Sequence, residues 1–195
     1  MSKRENKTAC ILFLSILLMM PGVPGAGDPV AEKPSYSEGE YWILLNKNKF
    51  KEIKHTFLRE EEDSVIFSLN GSDKTSSYHF KAKLKRSPVG YPDPIIDFPL
   101  TTGKKWNYQF QRKQAKGPKM DRIRADYKVE AYEPVTVPAG TFNAFKITSV
   151  SEATGRGIVT MPQKEQYWYS PDVKYIIKRI NRKGDIWELK DFSVK

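Results

Sequence analysis

Few side chains in this sequence are suited to covalent chemistry. Its 195 residues hold one cysteine, Cys10, and two histidines, His55 and His79. A single cysteine excludes a disulfide framework, a cysteine-rich zinc site and an iron–sulfur centre, and two histidines exclude a three-histidine metal site. The sequence has no Gly-x-Ser-x-Gly nucleophile motif and no glycine-rich phosphate or dinucleotide loop. We therefore expect no metal, no cofactor and no catalytic activity.

Paired carboxylates are the remaining route to catalysis, because a glycoside hydrolase needs two of them on one concave face. The candidates are Glu165, Asp172, Glu188 and Asp191. Any β-protein of this size offers as many, so a carboxylate-based hydrolase is the least favoured alternative. The acidic run Glu60–Asp63 lacks the glycine and the alternation of a calcium loop and is interpreted as a solvated turn.

Aromatic side chains in strand-like segments form a first candidate binding surface. Five residues are candidates for the inner face of a curved sheet: Trp42, His55, Trp106, Tyr108 and Trp168. Such a face either packs as core or contacts a ligand in its concavity. Core packing is the simpler interpretation of these residues, and ligand binding is the alternative. His55 would supply a polar contact in either case.

Basic side chains form a second candidate surface, for which Lys81, Lys83 and Lys85 alternate along one predicted strand. The formal net charge is +10, which suits anionic lipid headgroups or envelope polymers through modest, salt-dependent contacts. The alternative is a solubilising surface that protects sheet edges with lysine. Nucleic acid, a frequent partner of basic proteins, is not expected for an exported chain.

Residues 1–26 have the organisation of a secretory signal peptide. Lys3, Arg4 and Lys7 precede the apolar run Ile11–Met20, and Pro21–Ala26 supplies small residues and turn formers. A ten-residue helix is about 15 Å long, half of a hydrocarbon core of about 30 Å, so a retained transmembrane anchor is disfavoured. Removal of this segment takes away three cations and one carboxylate and lowers the net charge to +8. We expect a bacterial protein exported to the periplasm or beyond the cell.

The elements that position these residues are predicted to be strands. Apolar and polar residues alternate with a period of two at 78–85, 106–111 and 123–131, which is typical of half-buried antiparallel strands. No window after residue 30 carries a helical stripe. We predict an all-β fold, an antiparallel meander of about nine to eleven strands that forms a curved sheet or a partly open barrel or sandwich.

Turn chemistry supports this prediction. Asn70-Gly71 is the least strained pair for a tight hairpin turn, in which two consecutive residues take positive φ. The segments Pro138–Gly140 and Arg182–Gly184 suit type I turns closed by a glycine in the left-handed region.

The chain divides into a signal peptide at 1–26, an extended leader at 27–38 and a single β domain at 39–195. Gly-x-x-Trp occurs at 39–42 and again at 103–106, which suggests a two-part duplication comprising 39–86 and 101–195. The connection 87–100 carries four prolines, at positions 88, 92, 94 and 99, and is excluded as an interior strand.

Three segments together resemble the DUF3108 and TapB-like group of uncharacterised exported bacterial proteins. They are Phe98–Trp106, Val135–Ile147 and Tyr167–Lys178. The resemblance implies a β-rich envelope domain and transfers no catalytic residue, because the shared residues are turn formers and core aromatics. One departure is Lys174, at a position where the family is expected to have glycine, so we expect this turn to differ.

These observations favour an exported, non-catalytic β domain that binds an amphipathic ligand or an anionic envelope component, either a lipid or a polymer. A structural subunit that pairs with a protein partner through exposed strand edges is the main alternative. The feature that separates these hypotheses is whether the concave face is filled by its own side chains.

Overall fold

The computed structural model describes residues 28–61, 64–79, 86–87, 96–113, 120–155 and 158–195. The predicted signal peptide 1–26 lies outside these ranges, as do Lys81, Lys83 and Lys85 and much of the connection 87–100. Within them every regular element is a strand, and no helix is long and apolar enough to cross a membrane. The all-β prediction is confirmed.

The strands are β1 Val30–Ala31, β2 Tyr41–Asn46, β3 Lys51–Glu61, β4 Ser64–Leu69, β5 Ser72–His79, β6 Arg86–Ser87, β7 Leu100–Thr101, β8 Lys105–Lys113, β9 Met120–Val137, β10 Gly140–Gly155, β11 Ile158–Val159, β12 Gln163–Ser170, β13 Tyr175–Ile180 and β14 Ile186–Ser193. Ten of these described strands have six residues or more, which agrees with the predicted number.

One large sheet contains most of the strands, in the hydrogen-bonded order β5-β4-β3-β2-β14-β13-β12-β10-β9-β8-β6, with β11 paired to β10. Its pairs are antiparallel except that the two-residue β6 runs parallel to β8. The short strands β1 and β7 form a separate pair. Among the described strands the two ends of the order do not pair with each other, so the sheet is not closed into a barrel.

The long β9–β10 hairpin shows that this sheet is curved. Near its tip the Ala139 amide donates a hydrogen bond to the Leu189 carbonyl at 3.1 Å. Phe142 packs edge to face with Phe192, with ring centroids 5.6 Å apart. Because β12 and β13 separate β10 from β14 in the strand order, these contacts require the hairpin to curl towards β14.

The predicted Asn70-Gly71 turn is confirmed by its backbone. Asn70 has a φ of 53° and Gly71 a φ of 67°, the two consecutive positive values that a two-residue hairpin turn of this type requires. Asn70 Oδ1 also accepts a hydrogen bond from the Lys54 amide at 2.8 Å, so the asparagine side chain ties the turn to β3.

The two Gly-x-x-Trp segments share a local geometry. Gly39 and Gly103 have φ values of 87° and 86°, respectively, and in each case a strand begins two residues later with tryptophan as its second residue. The shared geometry explains the glycines, because a side chain at this φ is strained. The duplication of 39–86 and 101–195 remains a prediction.

Lys174 adopts a left-handed backbone that glycine would favour, with a φ of 57°. Lys174 therefore differs from a glycine at this position in its side chain and not in its backbone conformation. Lys174 Nζ is 2.8 Å from Glu40 Oε1 and donates a second bond to the Lys195 carbonyl, also at 2.8 Å. The Lys195 amide donates to the same Glu40 oxygen at 2.9 Å, so one carboxylate joins the start of β2 to two distant segments.

The Glu40 carboxylate is buried, with a residue exposure of 1%. Burial raises the pKa of this carboxyl, but hydrogen bonds from Lys174 and from the backbone outweigh it, and the pKa lies below its ordinary value of 4.5. Among the described residues the second oxygen, Oε2, has no hydrogen-bond partner. Lys174 therefore supplies most of the compensation for a buried charge.

Replacement of Lys174 by glycine tests this ion pair. The substitution relieves about 1 kcal/mol of left-handed backbone strain, but removal of one partner of a buried pair costs about 3–5 kcal/mol. We expect Lys174→Gly to lower the free energy of unfolding by about 2–4 kcal/mol in urea titrations. The control Glu40→Gln/Lys174→Gly should recover part of this loss, and a single variant as stable as the parent would contradict the account.

The same pair predicts a pH dependence. A carboxyl whose pKa is lower in the folded state adds stability above its unfolded-state value, and this contribution is lost as the pH falls through the folded-state value. We expect the difference in unfolding free energy between the parent and Glu40→Gln to shrink as the pH falls below 4.5. The other carboxyls are common to both proteins, so parallel curves across this range would show that Glu40 contributes no such linkage.

Candidate functional site

Trp42 lies at the centre of a packed aromatic cluster. It is 0% exposed and stacks on Tyr175 with ring centroids 4.7 Å apart and planes inclined by 13°. Its indole Nε1–H donates to the Val173 carbonyl at 2.8 Å. Phe67 meets both rings edge to face, at 5.6 Å from Trp42 and 5.4 Å from Tyr175. The indole is therefore satisfied by its own chain and presents no surface to a ligand in this structure.

His55 belongs to the same cluster, because it lies directly opposite Trp42 in the β2–β3 pair. Its Nδ1 is 2.5 Å from the Tyr175 hydroxyl and 3.3 Å from Ser76 Oγ. The side chain is nearly buried. These two hydroxyl contacts fix the ring orientation, so His55 serves here as a polar member of the core.

Trp106 and Tyr108 lie on the buried face of the β8–β9 pair. Trp106 is half-buried and stacks on Tyr127, with centroids 5.1 Å apart and planes inclined by 3°. Tyr108 is 1% exposed and lies opposite Ala125. Of the two, Trp106 alone keeps accessible ring surface.

Strand register places Trp168 on the other face of the sheet. Paired residues share a face and neighbours along a strand alternate. Trp106 pairs with Tyr127, which lies opposite Ser149. Ser149 shares the β10 face of Ile147, which pairs with Tyr167. Trp168 follows Tyr167 and therefore points away from the face that carries Trp106, so the expectation that the three tryptophans share an inner face is wrong for Trp168.

The indole of Trp168 is covered by charged side chains. Its Nε1–H donates to Glu133 Oε1 at 2.9 Å. The ammonium groups of Lys146 and Lys178 lie 5.5 and 5.6 Å from the ring centroid, within the range of cation–π attraction. The ring supports two cations at the solvent side of β10 and β13, and only 7% of Trp168 is exposed.

Further lysines on this side of the sheet form a surface that we call the cationic face: Lys105, Lys128, Lys146 and Lys164. Lys128 lies opposite Thr148 and Lys164 opposite Val150, and these two β10 residues share the face of Lys146. Lys105 lies opposite Lys128. A like-charge cross-strand pair is destabilising, and here the Glu130 carboxylate, which accepts a hydrogen bond from Lys128 Nζ, offsets part of that cost.

Glu130, an exposed residue beside this surface, reports its positive potential. Its pKa is lowered first by the hydrogen bond from Lys128 Nζ, at 2.6 Å, and then by the charges of Lys128, Lys164 and Lys146. Lys128, Lys146 and Lys164 thus all act on one carboxylate.

A polar cluster on the buried face was not anticipated from the sequence. The Tyr167 hydroxyl donates to Glu165 Oε2 at 2.6 Å, and Arg179 donates to the same oxygen at 2.9 Å while its guanidinium lies over the Tyr167 ring. Burial raises the pKa of Tyr167 well above its ordinary value, with Arg179 opposing and Glu165 assisting the shift. The spacing of two between Glu165 and Tyr167 was the available signal, because it places both on one strand face.

Two of the candidate carboxylates, Glu165 and Glu188, lie on opposite faces of the sheet and cannot form a catalytic pair. Glu188 lies opposite Lys178 on the Trp168 side and binds Lys178 and Lys47 at 3.0 and 3.2 Å. Glu165 lies on the opposite side with Tyr167. Within the described ranges no group of three or more His, Cys, Asp and Glu side chains is arranged to hold a metal ion.

Replacement of Trp42 tests whether its ring is core. Trp42→Ala should reduce the free energy of unfolding by about 3–5 kcal/mol, because it removes a fully buried indole and its hydrogen bond. Trp106→Ala, at a half-buried ring, should cost distinctly less. Urea unfolding of the two variants provides the measurement, and equal losses would contradict the assignment of Trp42 to the core.

No curated protein of known sequence matches this chain. Among solved structures, the hypothetical lipoprotein YmcC from Escherichia coli K12 is similar, with a TM-score of 0.48, 8% identity, and coverage of 83% of this chain and 89% of that one. A candidate lipoprotein from Parabacteroides distasonis has a TM-score of 0.47 and 11% identity, covering 84% of this chain and 99% of that one.

A match to a protein-family model assigns the chain to a family. The DUF3108-like model matches residues 66–185, more than half of the chain, and this range includes all three segments on which the resemblance was based. The chain therefore belongs to the DUF3108-like family.

Proposed function

We propose that this protein is an exported, non-catalytic β domain that binds a phosphate-bearing, anionic component of the cell envelope through its cationic face. The observation that carries the proposal is the like-charge pair formed by Lys105 and Lys128, directly opposite each other on exposed strands. An anionic partner would convert this unfavourable contact into a favourable one.

The arrangement of the lysines suits an extended partner. Lys128, Lys146 and Lys164 come from three neighbouring strands and surround Glu130 on an open sheet face. Each exposed ammonium contributes a modest, salt-dependent attraction of about 1 kcal/mol near an anionic surface. Several such contacts acting together provide useful affinity without a deep pocket.

Binding of an amphipathic ligand in the concavity has less support. Trp42 and Tyr108 are almost completely buried, so a ligand would reach their rings only if the core opened. The proposal therefore rests on the cations and not on these aromatic residues. Lys81, Lys83 and Lys85 remain predicted members of an anionic-surface site.

Assembly through strand edges is a second candidate function. In the order of the described strands, the eight-residue β5 has a neighbour on one side only, β4. An edge strand offers backbone groups to a second chain. This candidate expects concentration-dependent oligomers in analytical ultracentrifugation, whereas binding through the cationic face needs none.

Charge neutralisation tests the proposed function. We expect the protein to bind vesicles containing phosphatidylglycerol more tightly than vesicles of phosphatidylcholine alone, with affinity that falls as salt rises. The triple variant Lys128→Gln/Lys146→Gln/Lys164→Gln should bind about tenfold to a hundredfold more weakly at low salt. Vesicle co-sedimentation provides the measurement.

The matched control is Lys54→Gln/Lys74→Gln/Lys190→Gln, which changes the net charge equally at exposed positions that are not among the four lysines of the cationic face. The control should bind nearly as the parent does. Equal loss in both triple variants would mean that net charge alone drives binding, and the assignment of a specific face would then be wrong.

A further inference from the structure

Phe50 is placed where its ring has no packing role. It lies in the turn between β2 and β3, is 85% exposed, and has a φ of 52°. Bulky side chains are rarely found in the left-handed region, which glycine and asparagine occupy with less strain. A strained, solvent-exposed aromatic ring at a turn contributes little to folding and calls for another explanation.

The turn that presents Phe50 is firmly built. The buried Asn46 accepts hydrogen bonds at Oδ1 from the amides of Asn48 and Lys49, at 3.0 and 2.9 Å. Asn48 Oδ1 accepts from the Ile186 amide at 2.7 Å, and the Lys47 amide donates to the Ile186 carbonyl at 2.9 Å. These bonds hold the β2–β3 turn against the start of β14, so Phe50 is displayed from an ordered support.

The turn that carries this ring and the adjoining β13–β14 turn are rich in cations. Lys47, Lys49 and Lys51 flank Phe50 in sequence, and Lys49 Nζ binds Asp185 of the adjoining β13–β14 turn at 2.7 Å. That turn adds Arg182 and Lys183. Residues 46–51 and 181–185 thus contain five cations and one carboxylate, a formal net charge of +4.

Two further exposed apolar side chains lie at the same end of the sheet as Phe50. Val159 and Met161 are both exposed and immediately precede β12. Because β12, β13, β14 and β2 are successive antiparallel neighbours, the start of β12 lies at the end where β13 and β2 finish. Lys164 of the cationic face is the second residue of β12 and adjoins this end.

We propose that this end of the sheet docks on an anionic lipid bilayer, with the Phe50 ring inserted at the headgroup boundary and the surrounding lysines at the lipid phosphates. The inference rests on the proposed function and names the anionic component as a membrane. An envelope polymer would contact the cations alone and would leave the exposed Phe50 ring unexplained. A bilayer explains the ring, because the ring leaves water when it enters the boundary between headgroups and acyl chains. Aromatic rings beside basic residues are favoured at that depth.

Substitution of Phe50 tests the proposal. The protein is purified from its host after any natural processing. Phe50→Ala should weaken partitioning into vesicles of equal parts phosphatidylglycerol and phosphatidylcholine by about tenfold. Phe50→Trp should retain the partitioning of the parent. The matched control is Leu58→Ala, an exposed apolar residue of β3 eight positions from Phe50, or about 26 Å along the strand, which should leave partitioning unchanged.

Two further arms separate this proposal from the proposed function. A soluble short-chain phosphatidylglycerol, kept below its micelle concentration, should not compete with the vesicles, and inorganic polyphosphate should bind without any effect of Phe50→Ala. Thermal unfolding should be unchanged in Phe50→Ala, because the ring is exposed.

The outcomes are distinct. If Phe50→Ala partitions as the parent does while the triple lysine variant loses binding, membrane insertion is wrong and the proposed function stands. If the protein binds polyphosphate but no anionic vesicle, the bilayer inference and the vesicle prediction both fail, and the phosphate-bearing partner of the proposed function is a polymer. If neither probe binds, both proposals fail.

Discussion

The stacking of Trp42 on Tyr175 determines how β2 packs relative to β13, on the far side of β14. Trp42 lies in β2, and its indole N–H reaches the Val173 carbonyl, 131 residues away in sequence. A shift of one residue between β2 and β14 would turn this indole to solvent and leave its donor without that partner. Such a shift would lose a large buried aromatic area, so the core determines the register. Register, in turn, decides which polar side chains share a face.

The same register separates packing from charge. Trp42, His55, Trp106 and Tyr108 share the face that the protein fills with its own side chains, whereas Trp168 supports Lys146 and Lys178 on the other. Among the described residues, Trp42 and Tyr108 are almost completely buried, so their rings are core. The interactions proposed above use the lysines of the open face and the turns at one end.

Alternation along the chain was sufficient to predict strands, and Asn70-Gly71 was sufficient to predict a hairpin, because both are local properties. The face of Trp168 was not predictable, since Tyr167-Trp-Tyr169 carries rings in both directions. Bulges between Lys146 and Ile147 and between Leu189 and Asp191 also shift the register, so simple parity fails across them. The pairing of Glu40 with Lys174 spans 134 residues and leaves no local pattern.

Lys174 also constrains the order in which this turn can change during evolution. A glycine at position 174 suits the backbone, but while Glu40 remains charged it would leave the buried carboxylate without its ammonium partner. Neutralisation of position 40 first removes that obstacle, after which glycine gains the backbone advantage. The two positions therefore form one mutational unit, and the accessible path from lysine to glycine at this turn begins at the distant glutamate.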